Sequence, residues 1–186
     1  MALALACALL PARVAHAHTP AILDASTPYV VADPTVSRAL YGTVRQPDDV
    51  FVLRMHVAAR LAIPFEMLIP HRGDLRDHRP AYAVIGVGLP PLDDAAAARL
   101  PRALPVGAGA FVDWNDHATR DVVFESFLRR VYWSSGAIAL RVPAGDVEVW
   151  IWSPAGTTGD FVLGFGVEEG GQDYGDVLSH WSDYAY

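Results

Sequence analysis

The sequence predicts an all-β fold: an antiparallel, jelly-roll-like β-sandwich with one short helix, preceded by an N-terminal signal peptide. Three observations predict it. From Val36 onward, short runs of β-branched, aromatic and apolar residues are separated by turn clusters. Residues 49–57 (DVFVLRMHV) alternate, so that Phe51, Leu53, Met55 and Val57 share a core-facing side opposite Val50, Val52, Arg54 and His56. Residues 93–100 (DDAAAARL) carry the one clear helix signal, capped by Asp93 or Asp94 and ended by Pro101. Strands in succession, without alternating helices, argue for two packed sheets.

The chain has 186 residues, and 52% of them are hydrophobic. A domain of this size buries roughly 70% of its unfolded surface, so it needs no disulfide or structural metal to fold. All 14 basic residues are Arg, set against 21 acidic ones, for a net charge of -7. That balance makes nucleic acid and anionic lipid surfaces poor partners. The high apolar fraction excludes a disordered chain.

Residues 2–10 (ALALACALL) form an unbroken apolar run, followed by Ala15-His16-Ala17, whose small residues fit a signal-peptidase site. The run falls short of the roughly 20 apolar residues that span a bilayer. The expectation is a signal peptide over 1–17, cleaved after Ala17, leaving a protein that is not integral to the membrane. Cleavage removes Cys7, the single cysteine. An exported domain without disulfides points to a bacterial periplasm or exterior.

The elements follow in order. Residues 18–35 hold three prolines and read as an extended leader with one edge strand at 29–32. The sandwich is expected over 36–168. A strand at 37–44 leads into the turn Gln46-Pro47-Asp48-Asp49, and the alternating strand 49–57 follows. Residues 61–69 form another strand, which Pro64 demotes to an edge or a bulge. The charged stretch 71–79 (HRGDLRDHR) reads as a solvated loop, and 80–87 restarts the strand pattern. After the helix come a strand at 108–114 and a segment, 122–133, ambiguous between helical turn and irregular strand. Strands at 137–142, 146–152 and 161–167 close the domain, the first two joined by a tight hairpin-like turn at Pro143-Ala144-Gly145. The tail, 169–186, reads as flexible with a short aromatic helix.

Three motifs carry a family resemblance. They are Asp48-Asp49-Val50-Phe51-Val52-Leu53, the run from Val142 through Gly145-Asp146 to Trp150, and Gly159-Asp160-Phe161-Val162-Leu163. Together they resemble the bacterial pre-peptidase C-terminal domain, whose members are small sandwiches on exported proteins. The resemblance covers roughly 36–70 and 136–168. It implies a β-sandwich that acts as an appendage rather than as a catalyst. The long 71–135 region departs from that pattern.

Catalytic signatures are sparse. No Gly-x-Ser-x-Gly elbow, P-loop or His-Glu-x-x-His occurs, and Gly164-x-Gly166 lies within a strand rather than before a helix. Glu66, Glu125 and Glu148 are the acids on or near strands, and Glu148 reads as solvent-facing. Asp113-x-Asn115-Asp116 resembles the start of a calcium loop, with Asp48-Asp49 or Asp173-x-x-Asp176 as further oxygen donors. The same residues are ordinary turn formers, and that reading is preferred. His71 and His78 beside Asp74 and Asp77 supply zinc or copper ligand types, among three arginines that would repel the ion.

Cleavage after Ala17 would make His18 the first residue, offering an amine and an imidazole to one copper ion. Periplasmic copper carriers and lytic polysaccharide monooxygenases, both β-sandwiches, begin their copper site this way. His56, His117 or His180 would then complete the set. Trp114, Trp150, Trp152 and Trp181 are the candidates for ligand or partner contact. Trp150 and Trp152 share a strand face opposite Val149 and Ile151, which requires burial on both faces or a covering partner.

The expectation is therefore an exported, non-catalytic β-sandwich for binding or assembly at the bacterial envelope, with an envelope protein or a glycan as partner. The alternative is a periplasmic copper-binding protein built on His18, and calcium is the other cofactor considered.

Overall fold

Strand pairing in the computed structural model, which describes residues 19–125 and 129–168, builds two sheets packed face to face. The expected signal peptide, His18 and the tail beyond Glu168 lie outside the described residues. The strands are β1 (Thr19–Ile22), β2 (Tyr29–Val31), β3 (Arg38–Val44), β4 (Val50–Val57), β5 (Leu61–Pro70) and β6 (Ala81–Gly86). They continue with β7 (Gly109–Asp113), β8 (Asp121–Glu125), β9 (Arg130–Ser134), β10 (Ile138–Val142), β11 (Gly145–Trp152) and β12 (Gly159–Phe165). One sheet has seven strands in the order β1-β3-β12-β5-β9-β8, with β10 also paired to β5. The other has five, in the order β2-β4-β11-β6-β7.

The alternation in β4 decides what faces inward. Phe51, Leu53, Met55 and Val57 join Val147, Val149 and Ile151 of β11 and Tyr82 and Val84 of β6 in the core. The opposing layer comes from Leu40 and Val44, Ile63 to Ile69 on alternate positions of β5, and Phe161, Leu163 and Phe165. Aromatic contacts cross the gap: Phe51 meets Phe161 edge-on at 5.0 Å, and Phe65 stacks on Tyr82 at 5.8 Å. Gly42 lies opposite Phe161 in the ladder, and a Cβ there would fall 2.4 Å from the Phe161 ring.

Several expectations change. The 18–35 leader supplies two edge strands, one to each sheet, and both run parallel to their neighbours β3 and β4. Parallel neighbours need a crossover, and here the chain makes it by passing from one sheet to the other between β1 and β2. Pro143-Ala144-Gly145 is not a hairpin: β10 pairs with β5 and β11 with β4, so the turn steps between sheets. Pro64 sits inside β5 in a stretch paired on one side only, as a proline requires: β10 lies opposite it through Ala139, while the β12 ladder stops at Phe65, one residue short. Residues 122–133 resolve into β8 and β9, paired as antiparallel strands on either side of 126–128. The loop at 71–79 is not merely solvated, because Leu75 and His78 are buried in it.

The helix contracts to α1 (Asp94–Ala97), with the Asp93 carboxylate accepting from the Ala96 amide at 2.7 Å. It ends early because Leu100 turns down onto the five-stranded sheet. Leu92, Leu100 and Leu104 form a strap across that sheet's outer face, over Val52, Ala83, Trp150 and Trp152. The strap crosses so closely at its root that a Cβ on Gly109 would sit 2.1 Å from the Leu89 carbonyl oxygen.

Candidate functional site

The strap covers only part of the outer face of the five-stranded sheet. Where it stops, at Pro105-Val106-Gly107, a groove of about 680 Å³ opens beside it. Cross-strand register builds the floor. Arg54 of β4 lies opposite Glu148 of β11, and His56 lies opposite Asp146. The Arg54 Nε donates to Glu148 Oε1 at 3.0 Å, and His56 Nδ1 lies 2.8 Å from Asp146 Oδ1. Trp150 Nε1 donates to the other Glu148 oxygen at 2.7 Å, so a buried indole two residues along the same face of β11 fixes that carboxylate.

The walls are apolar. Val30 and Ala32 stand on the β2 side, with Val87, Pro105, Val106 and Ala108 on the other. Val30 is 71% exposed, Val87 70% and Val106 104%. Three large apolar side chains in water around one hollow mark a contact surface more than isolated exposure would. Sequence reasoning missed all three. Val106 gave a signal in retrospect, being an apolar residue inside the turn-forming run Pro105-Val106-Gly107.

The predicted residues scatter. His56 is in the groove, but His117 lies beyond Asp113, which pairs with Tyr82 at the opposite end of the sheet. That separation spans the length of β4, about 20 Å at the rise of an extended strand, so His56 and His117 do not share one ion. His117 Nε2 instead approaches Asp113 Oδ1 at 3.7 Å. His18, Trp181, His180, Asp173 and Asp176 lie outside the described residues. Among the described residues, no group of three or more His, Cys, Asp or Glu is placed to hold a metal.

Trp150 and Trp152 are buried by the chain's own strap, at 2% and 4% exposure. Trp114 is half-buried, with the Arg99 guanidinium 3.8 Å from its ring centroid. Asp113 accepts from the Asn115 amide at 2.9 Å in a turn, and Asp49 likewise caps the amides of Arg45 and Gln46. The backbone carbonyls of Asn115 and His117 accept from the Arg79 guanidinium at 3.2 and 3.0 Å, so a fixed positive charge packs against this turn.

His71 packs against Trp133 at 4.5 Å, while His78 is buried with Nδ1 2.9 Å from the Thr157 hydroxyl. Burial pushes the His78 imidazole down to about 4, with nearby Asp160 opposing the shift and Arg120 adding to it. Glu66 and Glu125 line a second hollow, of about 220 Å³, on the outer face of the seven-stranded sheet. Glu66 accepts from the Ser134 hydroxyl there, and Glu148 belongs to the other sheet. That volume is below the usual range for ligand pockets, which starts at about 300 Å³.

No helix among the described residues is long and apolar enough to cross a membrane. Comparison of the sequence with protein-family models and with curated proteins gives no match. Among solved structures, the chain is similar to the pre-peptidase C-terminal domain of collagenase from Bacillus anthracis, the kind of domain its turn motifs resemble. Identity is 9%, covering 75% of this chain and 94% of that one, with a TM-score of 0.39. It is also similar to Aeromonas hydrophila PliG, a periplasmic lysozyme inhibitor of g-type lysozyme. There identity is 12%, coverage 80% of this chain and 98% of that one, and the TM-score 0.38.

Proposed function

We propose that the chain is an exported, non-catalytic β-sandwich module for binding or assembly at the bacterial envelope, and that the groove beside the strap is its contact surface. The observation that carries this reading is the convergence of Val30, Val87 and Val106 on one hollow, where each stays exposed. The polar groups of the floor pair with one another, Arg54 with Glu148 and His56 with Asp146. Such a floor recognises a partner without offering an unengaged acid or base.

Protein fits the groove better than glycan. Sugar recognition on sandwiches relies on open aromatic faces, and no Phe, Tyr or Trp lines this groove. Trp150 and Trp152 are covered, and Arg99 occupies a face of Trp114. Export rests on the apolar run at 2–10 and the Ala15-His16-Ala17 site.

The test is site-specific photocrosslinking in the exporting cell. A crosslinker at position 106 or 87 is expected to capture a discrete protein species, and one at exposed Arg60, outside the groove, is not. Equal or absent adducts at all three positions would overturn the reading. A purified protein that binds peptidoglycan equally well with Val106→Asp would overturn it too.

A further inference from the structure

The chemistry of the groove is arranged so that it can meet a copy of itself. Reading across the sheet along the register, Val30 of β2 neighbours Arg54, Arg54 neighbours Glu148, and Glu148 neighbours Ile85. The sequence of characters is apolar, basic, acidic, apolar. One row along the strands, His56 neighbours Asp146, with exposed Val87 on the β6 side. The basic side chains thus form one column, on β4, and the acidic ones form the adjacent column, on β11.

We propose that the occupant of the groove is a second copy of this chain, docked face to face about a two-fold axis parallel to the strands and midway between β4 and β11. The proposal rests on the groove being the contact surface and goes further by naming the partner. Such an axis exchanges the two columns while keeping each row in place. Arg54 then faces the partner's Glu148, and His56 faces the partner's Asp146. A two-fold perpendicular to the strands would instead lay β4 on β4 and β11 on β11, basic against basic and acidic against acidic. Charge therefore selects one of the two in-plane axes, and the contact is isologous.

Side-chain geometry agrees. Arg54 uses Nε for its own Glu148, which leaves the two Nη groups without a hydrogen-bond partner among the described residues and able to donate across the axis. Glu148 is held in place by the buried Trp150 indole, so its carboxylate is preorganised. The Pro105-Val106-Gly107 ridge rises on one side of the groove only. The axis carries it to the opposite side of the other copy, past β2, which is the edge strand of its sheet. Each ridge brings Val106 against the partner's Val30, and two ridges bracket the interface.

Sedimentation of the purified protein over a dilution series tests this. The wild type is expected to sediment as a dimer. Arg54→Glu/His56→Glu makes both columns acidic, and Asp146→Arg/Glu148→Arg makes both basic. Each variant alone is expected to be monomeric, and their equimolar mixture is expected to recover the dimer mass. Val106→Asp, at a fully exposed position, is expected to be a folded monomer and keeps the test open should the Glu148 variant fail to fold. A wild type that stays monomeric at high concentration overturns the proposal, as does a dimer that persists in Val106→Asp. If that monomer still crosslinks through position 106 to another protein, the second-copy assignment falls while the contact-surface reading stands. A monomer without any such crosslink removes both.

Discussion

The Arg99 guanidinium lies 3.8 Å from the centroid of the Trp114 ring, and Trp114 meets Trp152 edge-on at 5.7 Å. Arg102 repeats the contact over Trp150 at 4.6 Å. Two arginines of the strap therefore cap the ring cluster that its leucines approach from the same side.

Removing both guanidinium groups tests how the strap is held. Cation–π contacts at partly exposed sites contribute about 0.5–1 kcal/mol each, so Arg99→Ala/Arg102→Ala should cost about 1–2 kcal/mol. Tryptophan emission should shift to the red and acrylamide quenching should rise, as the strap opens over Trp150 and Trp152. Emission identical to wild type would mean that Leu92, Leu100 and Leu104 suffice.

Gly109→Ala should destabilise the fold by about 2–4 kcal/mol, because its new methyl group would collide with backbone rather than with a side chain that can turn away. The atoms it would meet are the carbonyl oxygens of Leu89 and Pro90, at 2.1 and 2.3 Å from the added Cβ. Gly73→Ala is the control, since nothing lies within 4 Å of its Cβ position. Urea midpoints that coincide for the two variants would remove the reason given for the strap's path.

Stability should fall with acid between two limits set by His78. The imidazole titrates near 6.5 when unfolded and near 4 in the fold, where burial disfavours its charge. Below 6.5 the unfolded chain takes up the proton and the folded one does not, so stability declines as pH drops and levels off below 4. The total loss from this group is about 3 kcal/mol. His78→Gln keeps a partner for Thr157 and should flatten that part of the curve. An unchanged acid limb in urea melts would count against a buried neutral His78.

Deleting residues through Ile22 removes β1 and exposes the edge of β3, a strand whose Leu40, Tyr41 and Val44 are buried. A loss of about 1–3 kcal/mol is expected, with aggregation at high concentration as the open edge finds other chains. A truncated protein with wild-type melting and no tendency to aggregate would show that β1 is dispensable.

Local patterns were legible in the residues. The alternation of 49–57 placed Phe51, Leu53, Met55 and Val57 inside, and they are inside. Asp93 was a candidate cap and caps α1. The apolar faces of Trp150 and Trp152 and of Val149 and Ile151 called for burial on both sides or a covering partner, and the chain itself buries both, one in the core and the other under the strap. The groove was not legible, because Val30, Val87 and Val106 come from three separate stretches and none belongs to a run that stands out.

What the residues settled alone is which side of each strand is apolar and where the chain turns, since a repeat of two is a property of neighbours along the backbone. Which sheet a strand joins was decided only in three dimensions. β10 and β11 are separated by a short turn yet enter different sheets, β10 pairing with β5 and β11 with β4, strands from far earlier in the chain. The same long-range pairing sets His56 and His117 at opposite ends and draws Arg54 beside Glu148. Contacts between residues so distant in sequence leave no local trace, because each apolar edge is locally as good a partner as the next.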